Sequence, residues 1–159
     1  EAGVSVVQIV GEFEDKLNAA DLTLLIQKPE TPVYVMADGR HFWRVIDNLM
    51  NNICKYAQPG TRVYVDLREN GGQVELIFRN TSRYPLNISS EELMERFVRG
   101  DESRNTEGSG LGISIAKSLM ELMGGSFMLY VDGDLFKVVL GFAQMEEEKE
   151  PLDEDKSGK

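Results

Sequence analysis

The sequence predicts an α/β protein of the α+β kind: a two-layer sandwich with helices on one face of a mixed β-sheet. Three observations lead there. Residues 5–17 and 38–57 carry apolar side chains at three- and four-residue steps, the period of a helix with one buried side. Two pairs of segments alternate apolar and polar residues across a glycine-containing turn, the period of antiparallel hairpins. The elements follow one another as α-β-β-α-β-β-loop-α-β-β along 159 residues, of which 42 % are apolar, enough for one core.

Taken in order, Val6, Val10, Phe13 and Leu17 mark a first helix from Ser5 to about Leu17. Residues 22–28 (LTLLIQK) and 33–36 (VYVM) read as short strands, punctuated by Pro29 and Pro32. A helix runs from about Asp38 to Ala57 and stops before Pro59-Gly60. Val63, Val65 and Leu67, then Val74, Leu76 and Phe78, form a hairpin around Asn70-Gly71. Residues 81–109 are polar and charged apart from a helical patch, EELMERF, and are expected to form a long mobile lid. A second long helix starts near Gly112 and ends at Gly124-Gly125. A last hairpin joins SFMLYV to LFKVVLGF through Asp132-Gly133-Asp134. Residues 1–142 thus make one domain. Residues 143–159 hold seven Asp/Glu against three Lys and few apolar groups, and are expected to be a disordered, dispensable tail.

A net charge of −10 argues against nucleic acid or an anionic membrane surface as the main partner. No stretch approaches the roughly 18 apolar residues of a membrane span, and the first residues lack a basic leader. Cys54 is the single cysteine and cannot form an internal disulfide, which suggests a reducing, intracellular setting.

Two constellations carry possible chemistry. Asn48, Asn52 and Lys55 share one side of the helix 38–57, with Tyr56 beside them. This pattern suits either a solvated polar face or a site where a carboxamide oxygen ligates Mg²⁺ and Lys55 neutralises a phosphate. Gly108, Gly110 and Gly112 lead straight into an amphipathic helix, so backbone N–H groups and a helix N-terminus can meet an anion. No Gly-Lys-Ser/Thr follows, so this is not a P-loop, and no βαβ unit opens there, which argues against a dinucleotide fold. A third segment, Glu95-Arg96-Phe97-Val98-Arg99, lies just before the glycines. Leu93, Met94 and Phe97 suit a short surface helix that packs down.

In combination these segments resemble the ATP-binding catalytic domain of bacterial sensor histidine kinases, in the GHKL group with its Bergerat-like fold. RVIDNLMNNICKYA (44–57) is similar to the N-box, ERFVRG (95–100) to the F-box, and EGSGLGISIAK (107–117) to the second glycine box. The resemblance spans about residues 4–142. It implies ATP and Mg²⁺ as ligands, with Asn52 on the metal and Asn48 on the same face. It places Lys55 on phosphate, Tyr56 along the nucleotide, and Arg99 at the terminal phosphate. Gly108, Ser109, Gly110, Leu111 and Gly112 would form the phosphate-side loop. The family's first glycine box, Asp-x-Gly-x-Gly, is replaced by Asn80-Thr81-Ser82-Arg83-Tyr84. Asn80 stands where the Asp accepts a hydrogen bond from the adenine amino group; its amide oxygen can still accept, without the charge.

The resemblance also implies γ-phosphoryl transfer, catalysed through Lys55 and Arg99, to a histidine on a separate dimerisation hairpin, with a response regulator downstream. Hydrolytic members carry a Glu where this chain has Asn48, and an amide is no general base. Asp47, rotated by about 100°, is expected to point elsewhere. His41, the one histidine, lacks phosphoacceptor surroundings and is expected to be structural. The acceptor hairpin and sensor would precede Glu1. The resemblance makes this a cytoplasmic domain, without direct membrane contact, of a parent anchored in the bacterial inner membrane. A nucleotide-responsive binding module without catalysis and a GHKL ATPase remain the alternatives.

Overall fold

A computed structural model of the chain describes residues 3–99 and 111–143, and excludes the side chains of Val98, Arg99 and Leu111. The expected tail beyond Ala143, and the part of the expected lid that holds Gly108, Ser109 and Gly110, lie outside the described residues.

The predicted two layers are present. Five strands form a mixed sheet: β2 (Leu22–Gln27), β4 (Thr61–Asn70), β5 (Gln73–Thr81), β7 (Leu135–Ala143) and β6 (Ser126–Asp132), adjacent in that order. β2 runs parallel to β4, and the other pairs are antiparallel. Period-two alternation sorts the side chains into two faces. Leu24, Val63, Val65, Leu67, Val74, Leu76, Phe78, Phe136, Val138, Leu140, Phe127 and Leu129 point inward and are buried. Against them lie α3 (Gly39–Tyr56), through Phe42, Val45, Ile46, Leu49, Met50 and Ile53, and α5 (Leu111–Leu122), through Ile113, Ala116 and Met120. Each large apolar side chain so enclosed contributes about 1.5–3 kcal/mol. Phe42 meets Phe142 edge-on at 5.3 Å, which keys α3 onto β7.

Sequence signals explain the element ends. Asp38 caps α3, its carboxylate accepting from the N–H groups of Arg40 (2.9 Å) and His41 (3.0 Å). Those bonds, His41's first, hold the Asp38 pKa below the ordinary carboxylate value against an opposing desolvation. At the other end Ala57 turns extended, and Pro59 prevents continuation. The β4–β5 hairpin turns one residue later than expected: Asn70 pairs with Gln73, and Gly71 (φ 58°) and Gly72 (φ 86°) occupy the turn. Two consecutive positive φ angles are what a type I′ turn demands, and glycine supplies both without strain.

Three further expectations need correction. The first helix is broken into α1 (Val6–Gly11) and α2 (Glu14–Ala19). Gly11 weakens the helix, and the N–H groups of Glu12 and Phe13 bond three residues back, to Ile9 and Val10. The break preserves the predicted stripe: Val6, Val10, Phe13 and Leu17 are all buried. Residues 34–36 do not join the main sheet. They form β3 (Tyr34–Met36), which pairs with β1 (Gly3–Ser5), a strand the sequence did not suggest. The patch EELMERF belongs to a longer helix, α4 (Ser90–Arg99), which packs on α5 and β6. Ser90 Oγ accepts from the Val131 N–H at 3.0 Å, tying α4 to the edge strand.

Opposite the helices the sheet face is half-open. Across it Tyr64, Arg79, Lys137 and Tyr130 stand in register. Arg79 lies over the Tyr64 ring at 4.9 Å and Lys137 over Tyr130 at 5.0 Å. Asp66 is buried beneath this row and accepts from Arg79 at 3.0 Å.

Candidate functional site

The helical layer brings the separated motifs together. α3 and α5 pack side by side, which sets Gly112, in the first turn of α5, against Asn48 in the middle of α3. A Cβ on Gly112 would stand 3.6 Å from Asn48 Oδ1 and 3.7 Å from Asn48 Cβ and Cγ. The N-terminal end of α5, where backbone N–H groups lack helical partners, therefore opens beside the carboxamide face of α3.

The second junction joins the C-terminal end of α3 to the end of β5. Gln58 N–H donates to the Thr81 carbonyl and Arg83 N–H to the Tyr56 carbonyl, both at 2.8 Å, and Ala57 bridges Ser82. This ties the end of α3 to the segment that follows Asn80, and the Lys55 ammonium rests 5.3 Å from the Tyr56 ring centroid. Asn80 pairs with Phe136 and shares the inward face with Phe78, so a polar residue ends an otherwise apolar row.

Among the described residues four buried side-chain atoms have no hydrogen-bond partner: Asn48 Nδ2 and Asn80 Oδ1 in the helical layer, and Asp66 Oδ1 and Arg79 Nε on the opposite sheet face. A buried amide atom left unpaired costs about 1–3 kcal/mol. Both carboxamides lie on the inner side, one beside the start of α5 and the other near the end of β5. Asn52, one turn beyond Asn48, is partly exposed along the same side, and Lys55 is exposed. The neighbouring Ser82 hydroxyl is already engaged, donating to the Tyr84 carbonyl at 2.8 Å and accepting the Tyr84 N–H at 3.1 Å.

Asp47 is turned away, as helical geometry requires: it accepts from Asn51 Nδ2 at 3.4 Å and faces the Lys16 ammonium at 4.0 Å. His41 sits in the first turn of α3, partly exposed, its backbone N–H bonded to Asp38. Arg99 ends α4; its side chain, that of Leu111, and the whole of Gly108, Ser109 and Gly110 lie outside the described residues. Sequence reasoning gave no role to Ser82, or to the contact of Gly125 with Gly141, which are distant in sequence. Cys54, partly buried behind the site, has its thiol pKa raised by desolvation, with Lys16 opposing.

Helices cover one face of a mixed sheet, and the carboxamides of α3 lie beside the start of α5. Residues 37–151 match the family described as histidine kinase-, DNA gyrase B-, and HSP90-like ATPase, and the chain belongs to that family. Its relatives place it with the bacterial sensor histidine kinases. It is 29 % identical to the probable sensor kinase SilS of Salmonella typhimurium over 84 % of this chain and 28 % of that one. It is 34 % identical to the probable sensor protein PcoS of Escherichia coli, over 67 % of this chain and 24 % of that one. The chain thus spans about a quarter of the length of these relatives. The fold matches the catalytic domain of histidine kinase ThkA with a TM-score of 0.75 and 19 % identity, covering 90 % of this chain and 95 % of that one. For the mycobacterial sensor histidine kinase MprB the values are 0.73 and 21 %, covering 92 % and 99 %. No helix among the described residues is long and apolar enough to cross a membrane.

Proposed function

We propose that this domain binds ATP with Mg²⁺ and donates the γ-phosphoryl group to a histidine on a separate dimerisation hairpin of the same parent protein, which in turn serves a response regulator. The observation that carries the reading is that, among the described residues, Asn48 Nδ2 and Asn80 Oδ1 are buried without a hydrogen-bond partner in the helical layer. The residues present fit the ligand. Asn80 offers a hydrogen-bonding group away from water for a base. Asn52 offers a neutral oxygen, suited to a cation that keeps most of its ligands as water and phosphate. Lys55 and the start of α5 supply positive charge for phosphates.

Mg²⁺ bound with the triphosphate would neutralise charge on the transferring group. The chain's own residues would contribute positioning: Asn52 would hold the metal, Lys55 and Arg99 would meet phosphate oxygens, and Tyr56 would lie along the nucleoside. With an amide at position 48 no base lies one turn before Asn52 to activate water, so transfer to an acceptor is favoured over hydrolysis.

The test is calorimetric titration of ATP with and without Mg²⁺ into wild type and Asn52→Ala, followed by γ-labelled ATP and a separately made histidine hairpin of the parent. The expected result is tight binding that needs Mg²⁺, at least tenfold weaker in Asn52→Ala, and acid-labile label on the hairpin. Brisk phosphate release without acceptor would overturn the kinase reading in favour of an ATPase. Binding without any transfer would reduce the domain to a nucleotide-responsive module.

A further inference from the structure

Asn80 is 4 % exposed, and its Oδ1 has no hydrogen-bond partner among the described residues. Ser82, the other buried polar residue at that end of β5, is satisfied by Tyr84. Asn80 is therefore a buried group at this end that, among the described residues, still has hydrogen-bonding capacity to offer a ligand. No hydrogen bond among the described residues fixes which way its amide is turned. Rotating the terminal amide exchanges an acceptor for a donor at the same place, with the side-chain shape unchanged.

That freedom has a chemical consequence for a purine. At position 6 adenine carries an amino group, a donor, and hypoxanthine and guanine carry a carbonyl, an acceptor. A carboxylate at residue 80 could accept only, and would set two acceptors against each other when a 6-oxo purine came. The Asn80 amide presents Oδ1 to a 6-amino group or, turned over, Nδ2–H to a 6-oxo group. A site built around one buried hydrogen bond discriminates strongly only when its group cannot change role.

We propose that Asn80 makes this site tolerant at the purine 6-position, so that the domain takes 6-oxo as well as 6-amino purine nucleoside triphosphates. The inference rests on the nucleotide-binding reading above and concerns which nucleotides that site admits.

The probe pair is ATP and inosine triphosphate, which differ at N1 and position 6 and lack the 2-amino group of GTP. Both are titrated calorimetrically, with Mg²⁺, into the full chain and into Asn80→Asp. In the wild type the two Kd values should lie within tenfold of each other. In Asn80→Asp the preference for ATP should widen by at least a further tenfold, since a carboxylate serves the amino group alone. A wild-type preference for ATP of tenfold or more overturns the proposal. So does an unchanged ratio in an Asn80→Asp protein that melts like wild type. The wild-type ratio decides the matter even if the variant does not fold. Binding of neither nucleotide to the wild type would bring down the nucleotide reading itself, an outcome distinct from binding with strict adenine preference.

Discussion

Gly125 is where the helix that carries the glycine-box segment is fastened to the sheet, and Gly125→Ala tests that fastening. The residue follows α5, and its N–H donates to the Met120 carbonyl at 2.8 Å. A Cβ built there would stand 2.6 Å from the Gly141 carbonyl oxygen and 2.7 Å from Met120 Cε. Ordinary contacts of this kind lie at about 3.5 Å or beyond, so each shortfall approaches an ångström. Met120 Cε is the end of a flexible side chain, but Met120 is fully buried. Gly141 is less able to yield, because β7 is central there, pairing with Glu75 on one side and Ser126 on the other. Either the ladder stretches or the end of α5 lifts from the sheet. Overpacking of this sort costs about 1–3 kcal/mol. For a domain of this size that lowers Tm by roughly 3–12 °C. Gly11→Ala is the matched control: nothing lies within 4 Å of its added Cβ, and Gly11 ends a helix. It should be neutral or stabilise by up to about 1 kcal/mol. Thermal melts followed by circular dichroism compare the two. Because α5 also carries Gly112 against Asn48, Gly125→Ala should weaken ATP binding as well. A Gly125→Ala protein melting within about 1 °C of wild type would refute the close-contact argument.

Other perturbations probe separate parts of the molecule. Asp66→Ala removes the buried acceptor of Arg79 and should cost about 1–3 kcal/mol in urea unfolding, toward the lower end because Arg79 reaches solvent; an unchanged midpoint would show that this pair adds nothing. Asp38 has a depressed pKa in the folded state, so its contribution is complete above the ordinary carboxylate pKa and fades as pH falls through the folded value. Wild type should therefore lose stability relative to Asp38→Asn on acidification below about pH 4, and parallel curves would contradict the capping role. Arg99→Ala should slow phosphoryl transfer to the parent's histidine by at least tenfold, read by label transfer from γ-labelled ATP; an unaltered rate would remove Arg99 from the transfer step.

Much of this architecture was legible because the controlling contacts are local. The helical period of Phe42, Ile46, Leu49 and Ile53, the alternation of Val63–Val65–Leu67 with Val74–Leu76–Phe78, and the glycines of the hairpin each report on neighbours a few residues away. The candidate site residues stood out for a chemical reason: two carboxamides and a lysine on one side of a helix, and glycines before another, suit few structural purposes in combination. The tertiary structure decided what depends on distant partners. Residues 34–36 have strand character, but pairing with β1 depends on where the chain beginning at Gly3 lies. β2 has the same kind of sequence, yet its partner is β4, in parallel, across the whole length of α3. The stripe Val6–Val10–Phe13–Leu17 required burial, and two short helices meet that requirement as well as one. Asn48 and Gly112 were each visible in the sequence, but only the packing of α3 on α5 brings them within van der Waals reach. Asn80 was visible as an amide at a strand end. Its burial, and an oxygen without a partner among the described residues, are properties of the folded chain, in which the end of α3 is bonded to the end of β5.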